Sequence, residues 1–210
     1  MIPQSLVQYI EKEVIPQYAA FDKAHREDHA RSVVERALTM ARSMTDVRED
    51  MLYTAAACHD LGLSVCRETH HLESGRIIRA DHRLQEWFTA EEIEQIAQAA
   101  EDHRASAQEA PRSLYGRLVA EADRLIVPET IVRRTVQFGL SHYLELDREG
   151  HWQRTLAHLH EKYAEGGYLK LLIPGSPNEA PLAALRSIIH DEPCLRTLFD
   201  RMFDEETNLS

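Results

Sequence analysis

Apolar residues recur at intervals of three and four residues along almost the whole chain, and this spacing constrains the fold more than any other feature. Such a period places them on one face of a helix, whereas strands require an alternating pattern with β-branched residues, which the sequence lacks. The pattern therefore predicts an all-α fold. We place helices near 4–15, 17–22, 28–44, 48–60, 70–79, 90–104, 112–126, 129–146, 149–165, 179–190 and 194–205.

Local signals mark some of the helix boundaries. Thr89, with Glu92 three residues later, is typical of a capping box, and Pro128 precedes the helix that begins near Glu129. Residues 165–181, EGGYLKLLIPGSPNEAP, combine glycines and prolines around a short apolar run and predict a loop or lid. Because no internal repeat and no long linker is evident, residues 1–210 are predicted to form a single domain.

The charge balance and the cysteine pattern restrict the class of protein. With 35 acidic against 24 basic residues the net charge is −11, which disfavours bulk nucleic acid as a partner. Three cysteines without CxxC spacing suggest neither a disulfide framework nor a thiolate zinc site. No apolar run approaches the ~20 residues that a membrane-spanning helix needs, and no signal peptide is recognisable. We expect a cytoplasmic protein that contacts no membrane.

Six residues able to bind metal ions continue the apolar faces of predicted helices. They are His29, His59, Asp60, His71, His103 and Asp123. A single inward histidine is more often a hydrogen-bonded core residue, but burying a carboxylate costs several kcal/mol unless it is paired or bound to a metal. If all six side chains converge on one metal site, each of them gains the partner that its burial requires. Four histidines and two aspartates suit two transition-metal ions that keep positions open for water and substrate.

The order His29, then His59-Asp60, then Asp123 in an all-helical chain resembles the HD superfamily of metal-dependent phosphohydrolases. The segments DHARSVVERAL, AAACHDLGL and EADRL resemble the three motifs of that family. The resemblance implies an HD-domain helical bundle with a core at about 25–127 and additional C-terminal helices at about 128–210. One departure is Leu63 in HDLGL, where family members often carry lysine.

His71 and His103 resemble the two extra histidines of the branch of the family that binds two metals. His70 competes with His71 for the first of these positions. The spacing from His71 to Gly75 resembles the His-x-x-x-Gly segment of the family, and His71 has the better apolar face. We therefore favour His71.

The resemblance also implies a mechanism. Asp60 would bridge the two ions, His29, His59 and Asp123 would complete one ligand shell, and His71 and His103 the other. A hydroxide bridging the ions would attack a phosphate ester, in a nucleotide or another small phosphorylated metabolite, with Asp60 and His59 as the catalytic residues. Mixed imidazole and carboxylate ligands favour iron or manganese, with cobalt, nickel or zinc as options.

Arg26 and Arg104 adjoin the first and fifth ligands in sequence and are candidates for binding the substrate phosphate, with simple surface exposure as the alternative. Two other functions are compatible with the same residues. Some HD proteins hold two irons and activate oxygen, and a non-catalytic domain could bind metal or a nucleotide for regulation. A homo-oligomer is also compatible with the sequence.

Overall fold

The computed structural model describes residues 1–21, 26–104 and 109–208. These residues form ten α-helices and no strand, which confirms the predicted all-α fold. The helices are α1 (Gln4–Tyr9), α2 (Glu27–Ala41), α3 (Glu49–Cys58), α4 (His70–Ala80), α5 (Ala90–Glu101), α6 (Leu114–Asp123), α7 (Pro128–His142), α8 (Arg148–Tyr163), α9 (Glu179–His190) and α10 (Glu192–Asn208). Residue 22 of the predicted helix 17–22 and residue 25, the predicted start of the core, lie outside the described residues.

Two predicted helix starts are confirmed. The Thr89 hydroxyl accepts a hydrogen bond from the Glu92 amide over 3.3 Å, and the Glu92 carboxylate accepts one from the Thr89 amide over 2.8 Å. Pro128 is the first residue of α7, where its missing N–H leaves no hydrogen bond unmade.

The predicted helix 4–15 is only partly α-helical. After α1 the chain continues as a π-helical segment, Ile10–Val14, and then as a 3-10 helix, Ile15–Ala20. Pro16 lies in the first turn of this 3-10 helix. Because proline has no N–H to donate and its ring collides with the preceding turn, a regular α-helix cannot run through this position.

The described residues group into two compact units. Unit 1 comprises Met1–Arg124 and Leu172–Ser176, and unit 2 comprises Leu125–Leu171 and Pro177–Ser210. Each unit has its own hydrophobic core. The assignment of the whole chain to a single domain stays a prediction.

Helix α3 is the central element of unit 1. All residues from 51 to 58 are buried, and residues 55–57 are alanines, whose small side chains let neighbouring helices approach closely. Helices α2, α5 and α6 all pack against α3, and α4 packs against α5. The end of α3 is therefore enclosed by other helices, so polar residues there lie in the interior.

Unit 2 is built from α7 to α10 around a core that includes Trp152, Leu185 and Phe199. The rings of Trp152 and Phe199 are 5.4 Å apart. None of the helices in the described part of the chain has the length and apolarity required to cross a bilayer.

The predicted interruption at residues 165–181 is observed between Tyr163 and Glu179, where no α-helix is present in this fully described stretch. Part of it, Leu172–Ser176, belongs to unit 1, and Ile173 is buried in the core of that unit. The Leu172 amide and the Ser176 hydroxyl donate to the buried carboxylate of Glu121, over 2.8 and 2.5 Å. The middle of the loop is thus fastened to α6.

Candidate metal centre

The adjacent residues His59 and Asp60 lie where α3 ends. The helix finishes at Cys58, His59 is its C-cap, and both His59 and Asp60 are buried. The hydroxyl of Tyr18, itself fully buried, donates to the Ala57 carbonyl over 2.9 Å and accepts from the Asp60 amide over 3.2 Å. Tyr18 thereby fixes the main chain on either side of His59.

A short 3-10 helix, Leu61–Ser64, connects this helix end to α4. Gly62 in this segment lies so close to α4 that a Cβ atom would overlap the His70 carbonyl oxygen and the Ser74 amide nitrogen. The Gly62 amide also donates to the Ser74 hydroxyl over 2.9 Å. This close contact brings His70, the first residue of α4, next to Asp60.

Three side chains, those of His29, His59 and Asp123, form the first group of candidate ligand atoms, and Asp60 borders it. The His29 Nε2 atom lies 3.3 Å from His59 Nε2 and 3.2 Å from Asp123 Oδ1. The Oδ2 atom of Asp60 lies 3.6 Å from His29 Nε2 and 3.3 Å from His59 Nε2. Helices α2, α3 and α6 each contribute to this group, which can surround one ion.

The second group uses the other oxygen of Asp60. Its Oδ1 atom lies 3.5 Å from His70 Nε2 and 3.3 Å from His103 Nε2. These two histidine nitrogens are 3.1 Å apart. Asp60 therefore offers one carboxylate oxygen to each group, which is the arrangement of a carboxylate that bridges two ions.

The histidine tautomers favour cation binding. The Nδ1 atoms of His59, His70 and His103 lie 2.8, 2.7 and 2.5 Å from main-chain carbonyl oxygens, which only accept hydrogen bonds. Each Nδ1 therefore donates, and in a neutral imidazole this leaves a lone pair on Nε2. Two such lone pairs on His70 and His103, 3.1 Å apart, would repel each other, and either a proton or a metal ion between them removes the repulsion.

The spacing of the ligand atoms also fits metal ions. Nitrogen and oxygen ligands lie about 2.0–2.2 Å from an ion such as zinc. Tetrahedral to octahedral angles at that radius separate neighbouring ligands by roughly 3.0–3.5 Å. The separations within the two groups run from 3.1 to 3.7 Å. The residues present therefore fit a pair of divalent cations.

The electrostatics of the centre call for positive charge. Burial would raise the pKa of Asp60, but the charge of His59 and hydrogen bonds from His103, His29 and His59 hold it well below its usual range. Burial would likewise lower the pKa of His59, but the Asp60 and Asp123 carboxylates raise it well above normal. Without a metal ion, protons on the histidine Nε2 atoms hold the Asp60 and Asp123 carboxylates as anions, and a bound cation would take the place of those protons.

The structure places His70, and not the predicted His71, beside Asp60 and His103. His70 enters the second group, whereas the His71 Nδ1 atom is buried with no hydrogen-bond partner among the described residues. His71 does open the buried face formed by Ser74, Gly75 and Ile78, as the sequence suggested. However, it is His70, the first residue of α4, whose Nε2 atom lies 3.5 Å from Asp60 Oδ1 and 3.1 Å from His103 Nε2.

The other five predicted ligands, His29, His59, Asp60, His103 and Asp123, come together as predicted from sequence. Arg104 is exposed and donates to the Glu68 carbonyl over 3.0 Å. It lines a cavity of about 370 Å³ together with Leu63, Arg67, Glu68 and His70. Arg26 is exposed at the N-cap of α2, three residues before His29, and does not line this cavity.

Sequence reasoning missed two arginines near the ligands. Arg67 borders the cavity beside His70, and its position three residues before that histidine was the available signal. Arg36 lies on α2 two helical turns after His29 and donates to the carbonyls of Ala122 and Arg124, each over 2.9 Å. Because these carbonyls flank Asp123, Arg36 fixes the end of α6 from which that ligand projects.

Comparison with known proteins agrees with this geometry. Residues 26–127 match the family model described as HD domain. The matched segment contains both ligand groups in full. No curated protein and no solved structure matches the chain significantly.

Proposed function

We propose that this chain, which belongs to the HD family through residues 26–127, hydrolyses a phosphate ester in a nucleotide or another small phosphorylated metabolite. HD domains bind divalent metals, and most are metal-dependent hydrolases. The observation that carries the proposal is Asp60, whose two carboxylate oxygens each approach a different pair of histidine nitrogens.

Divalent ions held by these residues would supply the polarisation of a phosphoryl group and would lower the pKa of a coordinated water toward neutrality. The chain has to hold the ligand atoms for such a pair in advance. Main-chain carbonyls orient His59, His70 and His103 through their Nδ1 atoms. Such outer contacts fix the ring orientation and make the coordinating nitrogen more basic.

The cavity lined by His70, Arg67 and Arg104 supports a small phosphorylated substrate. Its volume of about 370 Å³ lies within the usual range of ~300–1,000 Å³ for small-molecule sites. An arginine fork matches the oxygens of a phosphate. The net charge of −11 disfavours a long polyanion, so we favour a metabolite over nucleic acid. Arg26 remains a proposed second phosphate contact.

Iron and manganese are the proposed ions because imidazole-rich ligand sets with carboxylates suit them better than magnesium, which prefers oxygen ligands. The same ligand set suits a di-iron centre that activates oxygen. Turnover that requires oxygen and iron would select that second function over hydrolysis.

The test is a panel of phosphate esters assayed with protein purified without oxygen and reloaded with each candidate ion. We expect hydrolysis of at least one nucleotide or sugar phosphate, and a loss of at least ~100-fold for His59→Ala and Asp60→Ala because these residues hold the ions. Arg117→Ala, an exposed α6 residue, is the matched control. Hydrolysis that survives unchanged in Asp60→Ala would refute the proposed site.

A further inference from the structure

Unit 2 contains a cavity of about 340 Å³, and of its lining residues only Leu125 falls within residues 26–127, the segment that matches the HD family model. It lies between α7 and α8. Its volume is at the lower end of the range for small-molecule sites, ~300–1,000 Å³. The residues that line it are Leu125, Thr130, Ile131, Arg134, Thr135, Phe138, Arg154, His158, Lys162 and Tyr163.

The lining of this cavity is strongly basic. Arg134 comes from α7, while Arg154, His158 and Lys162 follow one another at four-residue intervals along one face of α8. No aspartate or glutamate is among the lining residues. In a chain with a net charge of −11, such a concentration of positive charge is unusual.

The arginines of the cavity differ from others in the same unit. Arg133, Arg148, Arg196 and Arg201 each pair with one or two carboxylates. By contrast, no carboxylate in the described part of the chain forms an ion pair with Arg134 or Arg154. Arg154 instead donates to the Thr135 carbonyl and lies over the rings of Phe138 and Tyr143, at 5.5 and 5.2 Å.

The grouped cations affect one another. Burial lowers the pKa of His158, and the positive charges of Lys162 and Arg154 lower it further. Like charges held together in a partly enclosed space raise the local positive potential, which a bound anion offsets. The cavity is therefore preorganised for an anionic group.

The rest of the lining is mainly apolar, and two of its side chains are half-exposed. Phe138 is 49% exposed and Leu125 is 51% exposed, and Tyr163 adds a second ring. Phe138 also stacks on His142, with ring centroids 4.0 Å apart, and a half-exposed aromatic cluster next to cations suits a ligand that has a flat ring as well as a charged group. The ring would stack on the aromatic side while the anionic group contacts the arginines.

We infer that this cavity binds a small organic anion carrying a flat heteroaromatic ring, the class that nucleoside monophosphates represent. Arg134 and Arg154 contact its phosphate, and Phe138 contacts its ring. The inference is independent of the metal centre, because every lining residue belongs to unit 2.

The test is calorimetric titration of the full-length protein with AMP, with inorganic phosphate and with adenosine. The variants are Arg134→Gln and, as a matched control on the same helix, Arg133→Gln. Both residues carry the same charge, but only Arg134 lines the cavity. Asp60→Ala is titrated in parallel to separate this site from the metal centre and to prevent turnover, and melting curves establish that every variant is folded.

We expect saturable AMP binding to the wild-type protein, to Arg133→Gln and to Asp60→Ala, and affinity about tenfold lower for Arg134→Gln, equivalent to about 1.4 kcal/mol. Phosphate and adenosine should each bind more weakly than AMP, because phosphate contacts only the arginines and adenosine contacts only the aromatic side of the cavity. The inference is overturned by absent AMP binding, by equal affinities of Arg134→Gln and Arg133→Gln, or by binding that only Asp60→Ala abolishes.

Discussion

The hydroxyl of Tyr18 shows how one atom outside the ligand groups can position the metal centre. It bonds to the main chain before and after His59, accepting from the Asp60 amide and donating to the Ala57 carbonyl. Its burial and the nearby Asp60 carboxylate raise its pKa well above 10, so the hydroxyl keeps its proton. Nothing in the local sequence around residue 18 indicates this role, because the contact joins residues 39 and 42 positions apart.

Removing this hydroxyl should weaken both folding and metal binding. Tyr18→Phe leaves a buried carbonyl and a buried amide each short of a partner, which costs about 1–3 kcal/mol in the free energy of unfolding. Urea unfolding and metal retention during dialysis measure the two effects. The matched control is Tyr53→Phe, because the Tyr53 hydroxyl is buried without a hydrogen-bond partner among the described residues. Equal stability of the two variants would show that the Tyr18 hydroxyl contributes nothing.

The three cysteines should differ in reactivity. Cys58 is buried beside His59, and burial, with a smaller contribution from the Asp81 carboxylate, raises the pKa of its thiol far above 9. Cys194 is exposed. In the native protein at pH 8 we expect iodoacetamide to modify Cys194 and to spare Cys58, whereas urea should expose both. Mass spectrometry of the peptides measures this, and native labelling of Cys58 at the rate of Cys194 would contradict its burial.

At the scale of helices, periodicity predicted the inward faces that carry His29, His59, His103 and Asp123. In α4 it indicated His71, whereas the structure brings His70, the first residue of the helix, to Asp60 and His103. The apolar spacing defines the inward face along a helix. The direction of a side chain at the first residue of a helix also depends on the segment that precedes it. The close approach of Gly62 to α4 sets that direction, and it joins two segments whose contact the sequence does not reveal.

This close approach can be tested by adding one carbon atom. Gly62→Ala places a methyl group against the main chain of His70 and Ser74, which cannot move as a flexible side chain does. Overpacking of this kind costs about 1–3 kcal/mol, and we expect the second ligand group to separate. Gly150→Ala is the control, because the nearest atoms to its added methyl are side-chain atoms. Chemical unfolding compares the two, and an equally small loss in both would contradict the packing described.

At the scale of the whole chain, the two units have separate cores, and the match to the HD family model covers residues 26–127. Apolar spacing was enough to predict the fold class, because it depends on local repetition. The grouping into two units depends on contacts between distant segments, such as Leu172–Ser176 with α6. The cationic cavity of unit 2 was missed for the same reason, since Arg134 and Arg154 belong to different helices.

The proposed centre holds two ions, with Asp60 between them and His70 as a ligand. The most direct measurement is the metal content per chain of protein purified without oxygen, compared between the wild type, His70→Ala and His71→Ala. We expect about two ions in the wild type and in His71→Ala, and about one in His70→Ala. Of these two neighbouring histidines, it is His70 whose Nε2 atom approaches Asp60 and His103. One ion per chain in the wild type, or an ion lost from His71→Ala and kept in His70→Ala, would contradict the account.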